Sequence, residues 1–176
     1  MSQFNTNHSN RIIGLIGMVA LVLELSGPAL AKVNNSSRWD TNLSSDSRFT
    51  ILTELNNEAV RDNNTGLVWE VSPTGGYFDW GQAISHCTTR VVGGRKGWSL
   101  PMREQLASLV DTNSVLCIGG GLCLPDGHPF QNVQSASYWS AATTAGSPTF
   151  AWVVNFFFGG VLVMNLDGNG HAWCVR

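Results

Sequence analysis

The residues best suited to chemistry in this chain are four cysteines, a few histidines and one adjacent pair of cations. Cys87, Cys117, Cys123 and Cys174 form an even set, and thiols can attack a substrate, hold a metal or close disulfides. A zinc site from Cys117, Cys123 and His128 would need tighter ligand spacing than this, since no CxxC pair is present. An enzyme would have to pair His86 or His128 with a carboxylate, or use Cys87 as a nucleophile. No Gly-x-Ser-x-Gly elbow, His-Glu-x-x-His helix or recognisable triad spacing accompanies them, so no catalytic residues are assigned.

Binding chemistry is easier to place. Residues 93–101, GGRKGWSLP, contain Arg95-Lys96, the adjacent cation pair of the chain. The stretch lacks the Gly-Lys-Ser/Thr ending of a phosphate loop. An anionic ligand is therefore expected first at Arg95 and Lys96, with Arg103 read as one helical turn away. Asp126, His128 and Asn155 complete the candidate ligand-binding set. Calcium is the one ion the loops could take, through oxygens drawn from Asp126, Asn132, Asn155, Asp167 and Asn169. The Glu-Pro-Asn and Trp-Asn-Asp signatures of calcium-dependent sugar binders are missing, and Asp167-Gly168 reads first as a hairpin turn. No cofactor is expected. Trp152 or Trp173 could stack on a sugar ring, against the ordinary core role of such residues.

The elements that must position these residues follow from composition and pattern. Residues 12–25, IIGLIGMVALVLEL, are apolar and are followed by SGPALA, whose Ala29-x-Ala31 suits signal-peptidase cleavage. Residues 1–31 are read as a secretory signal peptide, and the run is too short for a membrane span. The chain is expected to be secreted, periplasmic or on the cell surface, with no membrane span after cleavage. Polar residues 32–47 read as a flexible lead-in. The net charge of −2 argues against nucleic acid or an anionic membrane as partner.

An exported domain with four cysteines favours two disulfides, for which three pairings exist. Cys117 and Cys123 bracket a flexible IGGGL and can close a small loop, which leaves Cys87 for Cys174. RFTIL (48–52), EAVRD (58–62) and GLVWE (66–70) read as short strands. In DWGQAISHCTTR, Trp80, Ala83, Ile84 and Cys87 make a helical stripe with Asp79 as N-cap. Met102, Leu106, Leu109 and Val110 make a second stripe, with Pro101 in the first turn. Residues 111–137 read as a long loop. Three strands, TFAWVVNFFF, VLVMNL and HAWCVR, finish the chain, the first with two apolar faces and hence central.

Taken together, AVRDNNTGLVWE, the Trp-to-Cys helix, GGRKGWSLPMREQLASLVD, YWSAATTAGSPTFAWVVNFFFGG and the terminal WCVR resemble the C-terminal domain family of the Legionella collagen-like adhesin, over residues 48–176. The resemblance implies an α+β, C-type-lectin-like fold with two helices packed on one twisted antiparallel sheet. It also implies a disulfide from the first helix to the last strand. Within that family Gly97, Trp98 and Pro101 belong to the turn before the second helix, and Met102 stands where Thr or Ser is usual. The collagen-like repeat of the founding adhesin is missing from residues 32–47, so trimerisation through such a stem is not expected, although the globular part could form a homo-oligomer such as a trimer.

The resulting expectation is an exported, non-enzymatic adhesion module that recognises a glycan or a surface protein. The alternative is a structural, oligomerising head without a small ligand. An enzyme of the formylglycine-generating fold group ranks third, because that chemistry needs free cysteines.

Overall fold

The structure is a computed structural model and describes residues 43–176; the expected signal peptide and residues 32–42 of the lead-in lie outside the described residues. Ser45–Arg48 forms one helical turn (α1), so ordered structure begins inside the span read as flexible. It leads into β1 (Phe49–Ile51), β2 (Ala59–Asp62) and β3 (Val68–Glu70), an antiparallel sheet in that order. These are the three strands expected from the alternation at 48–70.

Register decides what each face of this sheet does. Val60 stands opposite Trp69, which bridges Val175, and this row is buried with Leu106, Leu109, Phe130 and Trp173. Ala59 stands opposite Glu70, whose N–H donates to the Cys174 carbonyl. Ala59 and Cys174 are buried with Cys87, Val92 and Trp98. Opposed side chains share a face and successive ones alternate. One short sheet is therefore covered on both sides.

The helix α2 (Trp80–Thr89) covers the second of these faces. Asp79 caps it reciprocally: Gln82 N–H donates to Asp79 Oδ1 at 2.7 Å, and Asp79 N–H donates to Gln82 Oε1 at 3.1 Å. Ala83 and Cys87 are buried, with Trp80 and Ile84 packed against the same cluster, as the stripe predicts.

The second sheet holds β4 (Ser137–Thr144), β5 (Ser147–Asn155) and β6 (Gly160–Asn165), antiparallel with β5 central. The central position of β5 matches its two apolar faces. Three expectations are corrected here. β4 was not expected as a strand, because Ser, Ala and Thr dilute its alternation. β5 stops at Asn155 and Phe156–Gly159 form the turn, so Phe157 and Phe158 are exposed rather than in strand phase. Residues 171–176 are not a ladder strand of one sheet. They form a seam between two: His171 N–H donates to Ser137 O and Trp139 N–H to His171 O on the β4 side, while Val68 and Arg176 exchange both backbone bonds on the β3 side. The domain is α+β, with two three-stranded sheets in place of the single sheet expected.

Both disulfides are formed, Cys87–Cys174 and Cys117–Cys123. The first ties α2 to the seam. The second closes a small loop around α4 (Val115–Ile118), a helical turn within the span read as a long loop. Glu70 reinforces the seam from the buried interior. Its carboxylate accepts from Arg90 Nε and from Cys174 N–H at 3.0 Å, and its carbonyl accepts Trp173 Nε1 at 3.0 Å. Arg48 makes the equivalent tie at the other end of the first sheet. It holds Asp62 through Nε at 3.1 Å and Nη2 at 2.8 Å, and reaches Ser108 O at 2.6 Å.

The helix α3 (Arg103–Ala107) is shorter than its stripe suggested. Leu106 and Leu109 are fully buried, but Met102 is 54% exposed, because it is the N-cap and has extended backbone outside the helical phase. Pro101 accordingly precedes the cap rather than lying in the first turn. Met102 N–H donates to Gln105 Oε1 at 2.8 Å, half of a capping box; a methionine offers no oxygen in return. Met102→Thr supplies that oxygen, and urea denaturation is expected to show a gain of about 1 kcal/mol.

Candidate functional site

The GGRKG segment is a tight corner. Val92 and Arg95 exchange backbone bonds of 3.0 and 2.9 Å, with Gly93 and Gly94 at positive φ between them. Glu58 accepts the Gly93 N–H at 2.7 Å, and Trp98 Nε1 donates to Arg95 O at 2.9 Å. Arg95 and Lys96 are thereby held on the surface while Trp98 is buried beside Cys87 and Cys174.

The strand register brings two further cations to the same corner. Arg61 stands opposite Val68, and Val68 is paired with Arg176 through both backbone bonds. The three side chains share a face, which places Arg61 and Arg176 about 10 Å apart across two strand spacings. Gly97 lies against Arg176: a β-carbon at 97 would stand 4.0 Å from Arg176 Nε. Among the described residues the ion pairs are Arg48–Asp62, Arg90–Glu70 and Arg103–Glu104. Arg61, Arg95, Lys96 and Arg176 have none, and all four are exposed.

The other sequence candidates go elsewhere. Arg103 is not one helical turn from Lys96, since residues 96–102 are non-helical. Its guanidinium lies 4.7 Å above the Trp152 ring and pairs with Glu104, which occupies one face of that indole. Trp173 is buried. Asp126 accepts the Val115 N–H through both oxygens at 3.1 Å, and Ser45 Oγ donates to its carbonyl. Asn155 organises the turn after β5: Nδ2 donates to Ser137 Oγ at 3.0 Å, and Oδ1 accepts from Phe157 N–H at 2.9 Å. Asn132 donates to Ser72 Oγ at 2.8 Å. Asp167 and Asn169 sit beyond the C-terminal end of β6, whereas Asn155 pairs with Gly160 at its start. The calcium candidates are thus dispersed, and no trio of His, Cys, Asp or Glu converges among the described residues.

Arg61 and Arg176 were missed because their proximity is a property of strand pairing. Only the exposed position of Arg61 in AVRD hints at it. Tyr77 was missed too; it is 67% exposed with its ring 4.5 Å from that of buried His171. Two open depressions have volumes of about 240 and 260 Å³, below the ~300 Å³ at which small-molecule sites begin. The first is lined by Arg48, Asn64 and Asp111, the second by Glu58, Glu70 and Arg90.

Residues 58–176 match the Lcl C-terminal domain family, the family that the motifs resemble, and the chain belongs to it. No curated protein matches the chain.

Two expected outcomes follow from the geometry. A β-carbon at Gly93, where φ is +56°, would come within 2.5 Å of the Leu55 carbonyl oxygen, whereas Gly94 at φ +74° faces open space. Gly93→Ala is expected to cost at least 2 kcal/mol in denaturant unfolding, through strain plus overlap, and Gly94→Ala about 1 kcal/mol through strain alone. The second outcome concerns pH. Burial holds His86, His128 and His171 below the usual imidazole range, with Arg90 adding to the effect on His86. The unfolded chain then binds protons that the folded one refuses. Their contribution to stability is complete above pH ~6.5, the unfolded value, and is lost as pH falls through that value towards the folded ones. Melting temperature is expected to fall between pH 7.5 and 5.5.

Proposed function

We propose that this member of the Lcl C-terminal domain family is an exported, non-enzymatic binding module, and that it takes an acidic glycan or an acidic surface protein at the corner formed by Arg61, Arg95, Lys96 and Arg176. The observation that carries the reading is the gathering of four exposed, unpaired cations in a chain of net charge −2. Their like charges repel, the strand register that brings Arg61 towards Arg176 supplies no counter-charge, and the Glu58 carboxylate at this corner accepts the Gly93 N–H rather than pairing with them. An anionic partner supplies the missing counter-charge. Export is supported by the apolar run at 12–25 and by the two disulfides.

The non-enzymatic part is supported by the state of the cysteines. All four are in disulfides, so the thiols that a formylglycine-generating chemistry needs are committed. The C-type-lectin-like kinship belongs to the same proposal, supported by the bridge from α2 to the C-terminal seam. Calcium is not part of the reading, because the oxygen candidates are engaged locally or dispersed.

Binding to a sulfated polysaccharide, measured in low and physiological salt, tests the proposal. Arg95→Ala with Lys96→Ala is expected to weaken it about tenfold and to flatten its salt dependence, while Arg103→Ala leaves it unchanged. Equal binding by the double variant, or silence towards acidic and neutral glycans alike, with and without calcium, would remove the glycan reading.

A further inference from the structure

The edge strand β6 is exposed on both faces at Val161, Leu162 and Val163, whereas Met164 and Leu166 pack against the core beside α2. Across the second sheet Trp139 stands opposite Val153, and Val153 opposite Leu162, on one face. Tyr138, Val154 and Val161 make the matching row on the other. The first two residues of each row are buried, and the third is not. Val161, Leu162 and Val163 are 40%, 42% and 48% exposed. Helix α2 packs on β4 and α3 on β4 and β5, and the cover that reaches Met164 stops short of Val161, Leu162 and Val163.

The apolar surface continues past the strand. Phe157 and Phe158, in the turn that precedes β6, are each 51% exposed. Cys123 N–H donates to Phe156 O at 2.7 Å, and Cys123 Sγ lies 3.5 Å from Phe157 O. The Cys117–Cys123 bridge therefore holds α4 beside this turn, with Val115 and Ile118 about three-quarters exposed. Leu162 lies on one face of the sheet and Val161 and Val163 on the other, so the apolar surface wraps around the edge, where an edge-to-edge partner covers both sides at once.

Edges of this kind are ordinarily blunted by a lysine, a proline or a bulge. β6 has none of these. No Asp, Glu, Lys or Arg occurs from Gly127 to Leu166, and the proline in that span nearest the strand is Pro148, in β5.

We propose that β6 is a self-association edge, where two copies of this chain pair antiparallel about a twofold axis at Leu162 and join their sheets into one of six strands. The local sequence suits that symmetry. With Leu162 facing its own copy, Val161 faces Val163 and the reverse, so each apolar residue meets an apolar residue on both faces. A lipid surface fits less well. Hydrocarbon cannot satisfy the open N–H and C=O groups of a strand edge, and the cation beside the strand, Arg103 over the Trp152 that faces Val163, is already paired with Glu104. The proposal does not rest on the cationic corner, which lies on the first sheet and its seam.

Sedimentation velocity of the disulfide-intact chain from ~1 to ~200 µM tests this. A monomer–dimer equilibrium is expected, with Leu162→Lys raising the dissociation constant at least ~100-fold, as for a central interface residue. Unchanged melting and near-ultraviolet circular dichroism would establish that this variant folds. Should it not fold, Leu162→Cys gives a second readout: mild oxidation is expected to cross-link it to itself, and Val163→Cys much less. A wild-type chain that stays monomeric throughout would overturn the proposal. So would a dimer that Leu162→Lys leaves intact, or an edge that binds phosphatidylcholine vesicles as a monomer.

Discussion

The interaction on which the rest of the structure depends is the anchoring of residues 171–176 between two small sheets. Neither sheet has more than three strands, the smallest number that is stable when a hydrophobic face is covered. The seam joins them through backbone bonds to β3, β4 and Ser99. It is held by three ties of different kinds: the Cys87–Cys174 bridge, the Glu70 carboxylate on the Cys174 N–H, and the burial of Trp173. The bridge closes a separation of 87 residues, for which the chain-entropy account gives on the order of 4 kcal/mol. Glu70 is a riskier device. A buried carboxylate is stabilising only while its partners stay in place, and here Arg90 and a backbone N–H together satisfy both oxygens.

This arrangement explains which parts of the fold were legible in the sequence. The helix α2 was readable because cap, stripe and cysteine all fall within one local segment. The strands at 49–70 alternate cleanly, and the cysteine pairing could be reasoned from loop closure. What escaped was non-local. β4 is built of small residues, and its strand character comes from pairing with β5. HAWCVR reads as an ordinary strand, but its partners lie on two different sheets and pull it out of either ladder. Met102 was placed on the buried stripe by periodicity, although a residue at the N-cap has left the helical phase.

The same division runs through the candidate site. Arg95 and Lys96 stand out as adjacent letters, and the structure keeps them exposed at a glycine turn. Their companions Arg61 and Arg176 are separated from them by tens of residues and meet them only through the pairing of β2, β3 and the seam. Arg103 is nearer in sequence and was grouped with them, yet Trp152 and Glu104 hold it on another surface. Asp126 and Asn155 looked like ligands because their side chains can be; locally they satisfy backbone N–H groups that would otherwise be orphaned. Spacing along the chain thus overestimates polar residues near turns and underestimates cations brought together by sheet register.

The cationic corner and the β6 edge are separable by construction. The corner is built on β2, the seam and the 92–97 turn, whereas β6 is removed from the seam by β4 and β5. Pairing through β6 leaves every corner residue open and doubles the number of corners on one particle. For a repetitive acidic ligand the second contact is then intramolecular, and its strength is set by effective concentration rather than by new chemistry. Four cations on a surface are individually worth little in physiological salt. If two copies pair as proposed, a weak corner repeated on one particle is a physically sufficient route from modest single-site attraction to high avidity, and it requires no enclosed pocket.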